Sequence, residues 1–266
     1  MAKKSIYLLL YIILVTLTFN NAYSAITILG KGEATLCYHG AKFGYEGRSS
    51  IQHCKNALRD LSLSPRNRAA TYVNMGILYN NSSQPDKALA TFEKASDYYN
   101  VQSEAVLNSG NSYYIKKEYH KALEFYNRSF ELGIKDKSAV FFNIGLVYEK
   151  LNNIEKADYY FNETVHIGKR IGSDYWESRG IVCLGNILLK KEEHDGALTN
   201  YLSAQTLNIS GDKEILYQIY IGIFNISNKT NNETLRNEYI QDANMLMQED
   251  EFKGYLYEEL RALTSK

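Results

Sequence analysis

The chain of 266 residues has little proline, cysteine or tryptophan, and no net charge. Pro65 and Pro85 are its two prolines. Proline removes a backbone donor and clashes with the preceding helical turn, so its scarcity permits long helices almost everywhere. Thirty basic side chains against thirty acidic ones leave no broad field to attract phosphate backbones or anionic lipid, which argues against a nucleic-acid partner. Beyond the first twenty residues no apolar stretch approaches the roughly 20 residues needed to cross a bilayer.

Signatures of catalysis are missing as well. Nucleophilic chemistry needs a hydroxyl or thiol beside an oriented base. His39, His53, His120, His166 and His194 are scattered, no serine sits in an elbow motif, and no helix pairs two histidines with a glutamate at metalloprotease spacing. No glycine-rich phosphate loop occurs. Glu192-Glu193-His194-Asp195 fills a turn between helices, and Glu258-Glu259 reads as exposed helix charge. No catalytic residue, metal ligand or cofactor site is therefore assigned, and the chain is read as no enzyme.

The N-terminus opens Met-Ala-Lys-Lys, continues with an uncharged apolar run of 14 residues from Ile6 to Phe19, and reaches the small residues Ala22 and Ser24. This is the pattern of a secretory signal peptide, with cleavage expected after Ser24. A retained membrane anchor and an ordinary buried helix are the rival readings. Cleavage leaves 242 residues (266 minus 24), enough for one large domain or a repeat array.

An internal repeat is present. Gly76, Gly110, Gly145 and Gly185 are separated by 34, 35 and 40 residues. Twelve positions after each glycine stands Ala88, Ala122, Ala157 or Ala197; sixteen after stands Phe92, Tyr126, Phe161 or Tyr201; nineteen after stands Ala95, Ser129, Thr164 or Ala204. Glycine and alanine lack bulk, so two helices carrying them can approach closely, while the aromatic side chain seals the pair. Turn-prone stretches, Asn80 to Asp86 and Leu151-Asn152-Asn153, separate the helices.

In these positions the sequence resembles the tetratricopeptide repeat (TPR) family, from Ala69 to about Gly211. The resemblance implies an all-α fold, a right-handed superhelix of stacked antiparallel helix pairs (a TPR solenoid). The expected organisation is a signal peptide over 1–24, an N-terminal helical hairpin cap over 25–68, four repeats over 69–211, and a degenerate fifth repeat with a capping helix over 212–266. In the fifth repeat Gly222 keeps the glycine position, and Thr234-Leu235 and Tyr239 stand in for the missing alanine and aromatic. The long spacing before Gly185 places six additional residues between Ile167 and Gly180, as longer helices or as a protruding contact point around Trp176.

Of the three cysteines, Cys37 and Cys54 fall on the two helices of the N-terminal hairpin and are expected to bond there. Such a bridge stabilises by about 3 kcal/mol on the chain-entropy estimate. Two separate thiols are the plainer alternative, and a zinc site of Cys37, His39, His53 and Cys54 the sharper one, disfavoured because adjacent His53 and Cys54 point different ways on a helix. Cys183 is read as a small groove-lining residue.

Stacked helix pairs curve, and the first helix of each lines the inner side. Two positions before the glycines come Asn74, Asn108, Asn143 and Cys183; one after come Ile77, Asn111, Leu146 and Asn186; three before come Val73, Leu107, Phe142 and Val182. Asparagine offers a donor and an acceptor, so a row of them can pair with the amides of an extended peptide whatever its side chains. The candidate peptide-binding set is therefore Asn74, Asn108, Asn111, Asn143 and Asn186, with Val73, Leu107 and Phe142 as the apolar row beside it. Helix packing or plain surface is the alternative use of the same asparagines. Family members that clamp the C-terminal carboxylate of cytosolic chaperones carry lysine and arginine where Val73 and Ile77 stand here, which argues against that role.

Two functions are open at this point: a scaffold or adaptor holding an extended segment of another exported or envelope protein, and a structural module that self-associates as a homo-oligomer. The sequons Asn127-Arg128-Ser129 and Asn162-Glu163-Thr164 fall within expected helices, where glycans are unusual. With the bacterial style of the leader, this favours a periplasmic or secreted location.

Overall fold

A computed structural model of the chain describes residues 22–28, 32–43, 47–208, 211–249 and 255–265. The basic start and the apolar run from Ile6 to Phe19 lie outside the described residues. Among the described residues there are thirteen α-helices, one short 3-10 turn and no strand.

Two helices come first, α1 (Glu33–Phe43) and α2 (Gly47–Arg59). Five helix pairs follow: α3 (Pro65–Asn81) with α4 (Pro85–Ser96), α5 (Gln102–Ile115) with α6 (Tyr119–Glu131), α7 (Lys137–Lys150) with α8 (Ile154–Ile171), α9 (Asp174–Lys190) with α10 (His194–Leu207), and α11 (Lys213–Thr230) with α12 (Glu233–Gln248). A last helix, α13, spans Tyr255–Thr264. The chain forms two compact units, residues 21–164 and residues 165–266, and within each the helices of a pair run antiparallel.

The glycines act as the spacing requires. A Cβ on Gly76, Gly110, Gly145 or Gly185 would come within 2.9 Å of a ring carbon of Phe92, Tyr126, Phe161 or Tyr201 respectively. Those four rings and the four alanines preceding them are fully buried. The first helix of each of the first four pairs ends in the same way, seven positions after its glycine, where Ser83, Lys117, Asn152 and Glu192 take positive φ. The next amide then reaches back to the carbonyl of Tyr79, Tyr113, Tyr148 or Leu188, each at 2.9 Å. This is the Schellman closure, which satisfies helix-end carbonyls and reverses the chain within three residues. Several first helices also begin on side-chain caps: Ser64 Oγ accepts from the Asn67 amide, Asp136 from Ala139 and Asp212 from Ile215.

In the N-terminal unit Cys37 and Cys54 are joined across α1 and α2, with their Cα atoms 4.8 Å apart. With both sulfurs in that bond, the four-ligand zinc alternative is excluded. His53 Nδ1 lies 2.7 Å from Glu33 Oε2, a contact that holds the Glu33 carboxyl below its ordinary value.

In the C-terminal unit the six additional residues lengthen helices: α8 has 18 residues and α9 has 17, against 12 to 14 for α4 through α7. Gly168 is where they cross, since a Cβ there would lie 2.7 Å from the Glu177 amide nitrogen. Trp176 is buried in that crossing and so makes no protruding contact point. Arg179, only 3% exposed, ties α9 to α11 through Glu214 at 3.6 Å and also contacts the Tyr175 hydroxyl. Burial opposes its charge, but Tyr175 and Glu214 outweigh that and raise its pKa. Gly222 meets the far edge of Tyr201, so this ring is gripped between Gly185 and Gly222. Tyr239 faces Tyr220 with ring centroids 6.4 Å apart. The positive φ of this pair falls at Asn231, nine positions after its glycine rather than seven.

Candidate functional site

The glycine of each first helix faces the second helix of its pair. Two residues back along a helix is a rotation of about 200°, so a side chain there points away from the pair's interior. Asn74 on α3, Asn108 on α5 and Asn143 on α7 thereby lie on one side of the N-terminal unit, and all are fully buried. What buries them is the chain itself. Residues 22–28 cross the three first helices without regular secondary structure, and Ala22, Ser24 and Ile26 of this strap each meet one of the three asparagines.

The contacts repeat. The Ala22 amide donates to Asn143 Oδ1 at 2.8 Å, and its carbonyl accepts from Asn143 Nδ2 at 3.0 Å. The Ser24 amide donates to Asn108 Oδ1 at 3.2 Å, and Asn108 Nδ2 returns to the Ser24 carbonyl at 3.2 Å. The Ile26 amide donates to Asn74 Oδ1 at 2.9 Å, and Asn74 Nδ2 to the Ile26 carbonyl at 2.8 Å. Each carboxamide thus offers its acceptor and one donor to both main-chain groups of a single residue. The two-residue step is the period at which an extended chain returns the same face, about 6.6 Å on. The strap runs from the third pair toward the first.

Asn111, one position after Gly110, strengthens the far end. Its Nδ2 donates to the Ala22 carbonyl at 2.9 Å, and its Oδ1 accepts from Asn143 Nδ2 at 2.9 Å and from the Tyr126 hydroxyl at 2.8 Å. Burial, reinforced by Tyr114 and Tyr23, raises the Tyr126 pKa well above the ordinary tyrosine value, so the phenol stays a donor. No carboxylate, lysine or histidine takes part in these rungs. The side chains of the strap add apolar contact: Tyr23, Ala25 and Ile26 pack on the core cluster that contains Val73 and Ile77, and Ile28 packs with Tyr38 and Ala70. Ala22 is only 4% exposed, so its place admits a small residue.

The other predicted residues have different settings. Leu107 and Phe142 are fully buried, and the Phe142 ring stands 5.9 Å from that of Phe161. Asn186 belongs to the C-terminal unit, where its Oδ1 accepts from the Tyr201 hydroxyl at 2.7 Å. Cys183 is buried in the same unit. Asn80, assigned by sequence to a turn, is the last buried residue of α3. It accepts from Ser112 Oγ at 2.9 Å and donates to the Asn108 carbonyl at 3.3 Å, tying the first pair to the second behind a rung.

A profile of the tetratricopeptide repeat matches residues 138–164, the third helix pair up to the middle of α8. The chain carries tetratricopeptide repeats. Among solved structures, BtubC (BKLC) from P. vanneervenii aligns at 13% identity and a TM-score of 0.58, over 79% of this chain and 90% of that one. Pseudomonas aeruginosa pilF aligns at 16% identity and a TM-score of 0.56, over 86% and 95%. The apo form of RapI gives 15% identity and a TM-score of 0.56, over 88% and 96%. No curated protein sequence matches the chain. At such identities the likeness is one of fold. In TPR terms, the strap lies across the first helices of repeats one to three, and the asparagine rungs are the positions two before each TPR glycine.

Proposed function

We propose that the chain is a non-catalytic protein-interaction scaffold that holds an extended peptide of a partner protein on the asparagine rungs of its first three repeats. The observation that carries this reading is the strap: Asn74, Asn108 and Asn143 each engage both main-chain groups of one residue in an extended segment. Backbone-directed pairing holds a peptide without regard to most of its side chains, and the buried apolar floor adds affinity where those side chains are apolar. The rungs carry no charge, which suits a neutral segment and disfavours nucleic acid.

The leader pattern supports an exported location, periplasmic or secreted, and hence an exported or envelope protein as the partner. N-terminal sequencing that starts at Ala25 checks the cleavage; any other start moves that boundary. The function is tested by crosslinking in the chain's own cells. Asn108→Ala with Asn143→Ala should lower crosslinking to the dominant partner at least tenfold while helix content is retained, and an unchanged yield would overturn the groove reading. A concentration-dependent dimer that crosslinks only to itself would favour the self-associating module.

A further inference from the structure

The strap makes the groove's ligand specification readable, an inference that rests on the scaffold reading above. We infer that residues 22–28 are the groove's built-in copy of its ligand: the external partner presents an extended segment with a small residue at the position read by Asn143 and an aliphatic residue at the position read by Asn74, and binds by taking the strap's place.

Three observations fix the specification. Direction is set because the first rung read is Asn143 and the last is Asn74, so a ligand in this pose runs from the third repeat to the first. The first position is closed around a methyl group, since Ala22 is 4% exposed and its carbonyl takes two amide donors, from Asn143 and Asn111. The fifth is apolar, since Ile26 packs on the cluster formed with Val73. Between two rungs the main-chain groups of Ala25 receive no carboxamide, so a ligand in this pose is read at the residues on either side of that position.

Competition follows from connectivity. A tethered segment acts at an effective concentration in the millimolar range, and a site occupied by its own strap binds an external peptide with affinity reduced in proportion to the fraction left open. Cleavage after Ser24 would carry Ala22 and Ser24 away, emptying the Asn143 and Asn108 rungs while Ile26 keeps Asn74. Processing of the leader and opening of the groove would then be one event.

The probe is a synthetic peptide of residues 21–28, blocked at both ends and labelled with a fluorophore. It is titrated into the full chain made without export, so that residues 1–24 are retained, and into the same chain carrying Ala22→Pro and Ser24→Pro, which deletes two of the amides the rungs read. The expected result is binding at least tenfold tighter to the proline variant. A chain starting at Ala25 empties the same rungs and serves as the second variant should the first fail to fold. N-methylation of the peptide at Ala22, Ser24 or Ile26 should abolish binding, and at Ala25 should leave it within about threefold, because only the first set loses a rung. Equal affinity for blocked and opened chains would overturn the strap as competitor while leaving the groove reading intact. No binding to either opened chain, with helix content retained, would overturn the groove reading itself, and equal loss from all four N-methyl peptides would overturn the assignment of the read positions.

Discussion

The second and fourth repeats share one device and use it differently. In both, an asparagine one position after the glycine accepts a hydrogen bond from the tyrosine sixteen after it: Asn111 from Tyr126 at 2.8 Å, Asn186 from Tyr201 at 2.7 Å. In the first and third repeats the same two places hold Ile77 with Phe92 and Leu146 with Phe161, all buried. A polar pair or an apolar pair thus fills this site, never a mixture, as expected where an unmatched buried polar group is costly. The second repeat goes further, because Asn111 also reaches the Ala22 carbonyl and Asn143. The fourth repeat has Cys183 where a rung would stand, and there the asparagine and tyrosine serve the hairpin. One sequence position is therefore a packing residue in the C-terminal unit and a packing residue joined to the rungs in the N-terminal one.

The units also differ in what fastens them, and this gives the largest expected effect. Only the N-terminal unit carries a disulfide, placed on the α1 and α2 hairpin that covers its first repeat. Cys37→Ser with Cys54→Ser should cost about 3 kcal/mol of stability by the loop-entropy estimate for a closure of 17 residues. Thermal unfolding with and without a reductant checks this. The wild-type chain should lose the same stability on reduction, and Cys183→Ser should leave that response unchanged. A reductant-sensitive transition in the serine pair would place the stabilisation elsewhere.

A smaller effect tests the shared device. Tyr201→Phe leaves the buried Asn186 oxygen without its tyrosine donor and should cost about 1 to 3 kcal/mol, whereas adding Asn186→Leu copies the pair native to the third repeat and should recover most of it. The same two steps in the second repeat, Tyr126→Phe and then Asn111→Leu, should not recover, because the leucine also strips a donor from Ala22 and an acceptor from Asn143. Chemical denaturation of the five proteins, the wild type and the four variants, decides it. Recovery in both repeats would mean that Asn111 has no second duty.

The repeat and the rungs were readable from one chain because each is fixed by a local period. Glycine, alanine and aromatic recur at constant offsets, and the offset of two before the glycine determines which way Asn74, Asn108 and Asn143 point. The pairing of asparagine with tyrosine was equally visible, as a correlation across four copies, but it became meaningful only with the hydroxyl in bonding range. The strap was not legible. Ala22 and Ser24 read as the small residues of a leader, and nothing local in residues 22–28 says that their partners lie 48 to 121 positions away. Asn80 departs from its turn propensity for a related reason: asparagine favours turns, and its place in the last turn of α3 is tied to Ser112 in the next repeat. The later turn at Asn231, nine rather than seven positions after its glycine, has a counterpart in the sequence, where Leu235 and Tyr239 follow Gly222 one position later than the alanine and aromatic of the other repeats.

The smallest effect concerns the turn common to all four full repeats. At Lys117 and Glu192 the backbone has φ of 61° and 63°, a left-handed conformation that costs a residue with a Cβ about 1 kcal/mol relative to glycine. Glycine is the residue helices most often place there, because it closes the Schellman motif without strain. Part of the gain is offset by the greater freedom glycine gives the unfolded chain. Lys117→Gly should therefore stabilise the N-terminal unit by about 0.5 kcal/mol, and Glu192→Gly the C-terminal unit by a similar amount. Asn152, a residue that tolerates this conformation, should gain less from the same change. Ranking the three variants by denaturation midpoint tests whether the turns are geometrically equivalent in the two units. An unequal response at Lys117 and Glu192 would show that the copies have diverged in strain while keeping the same dihedral angle.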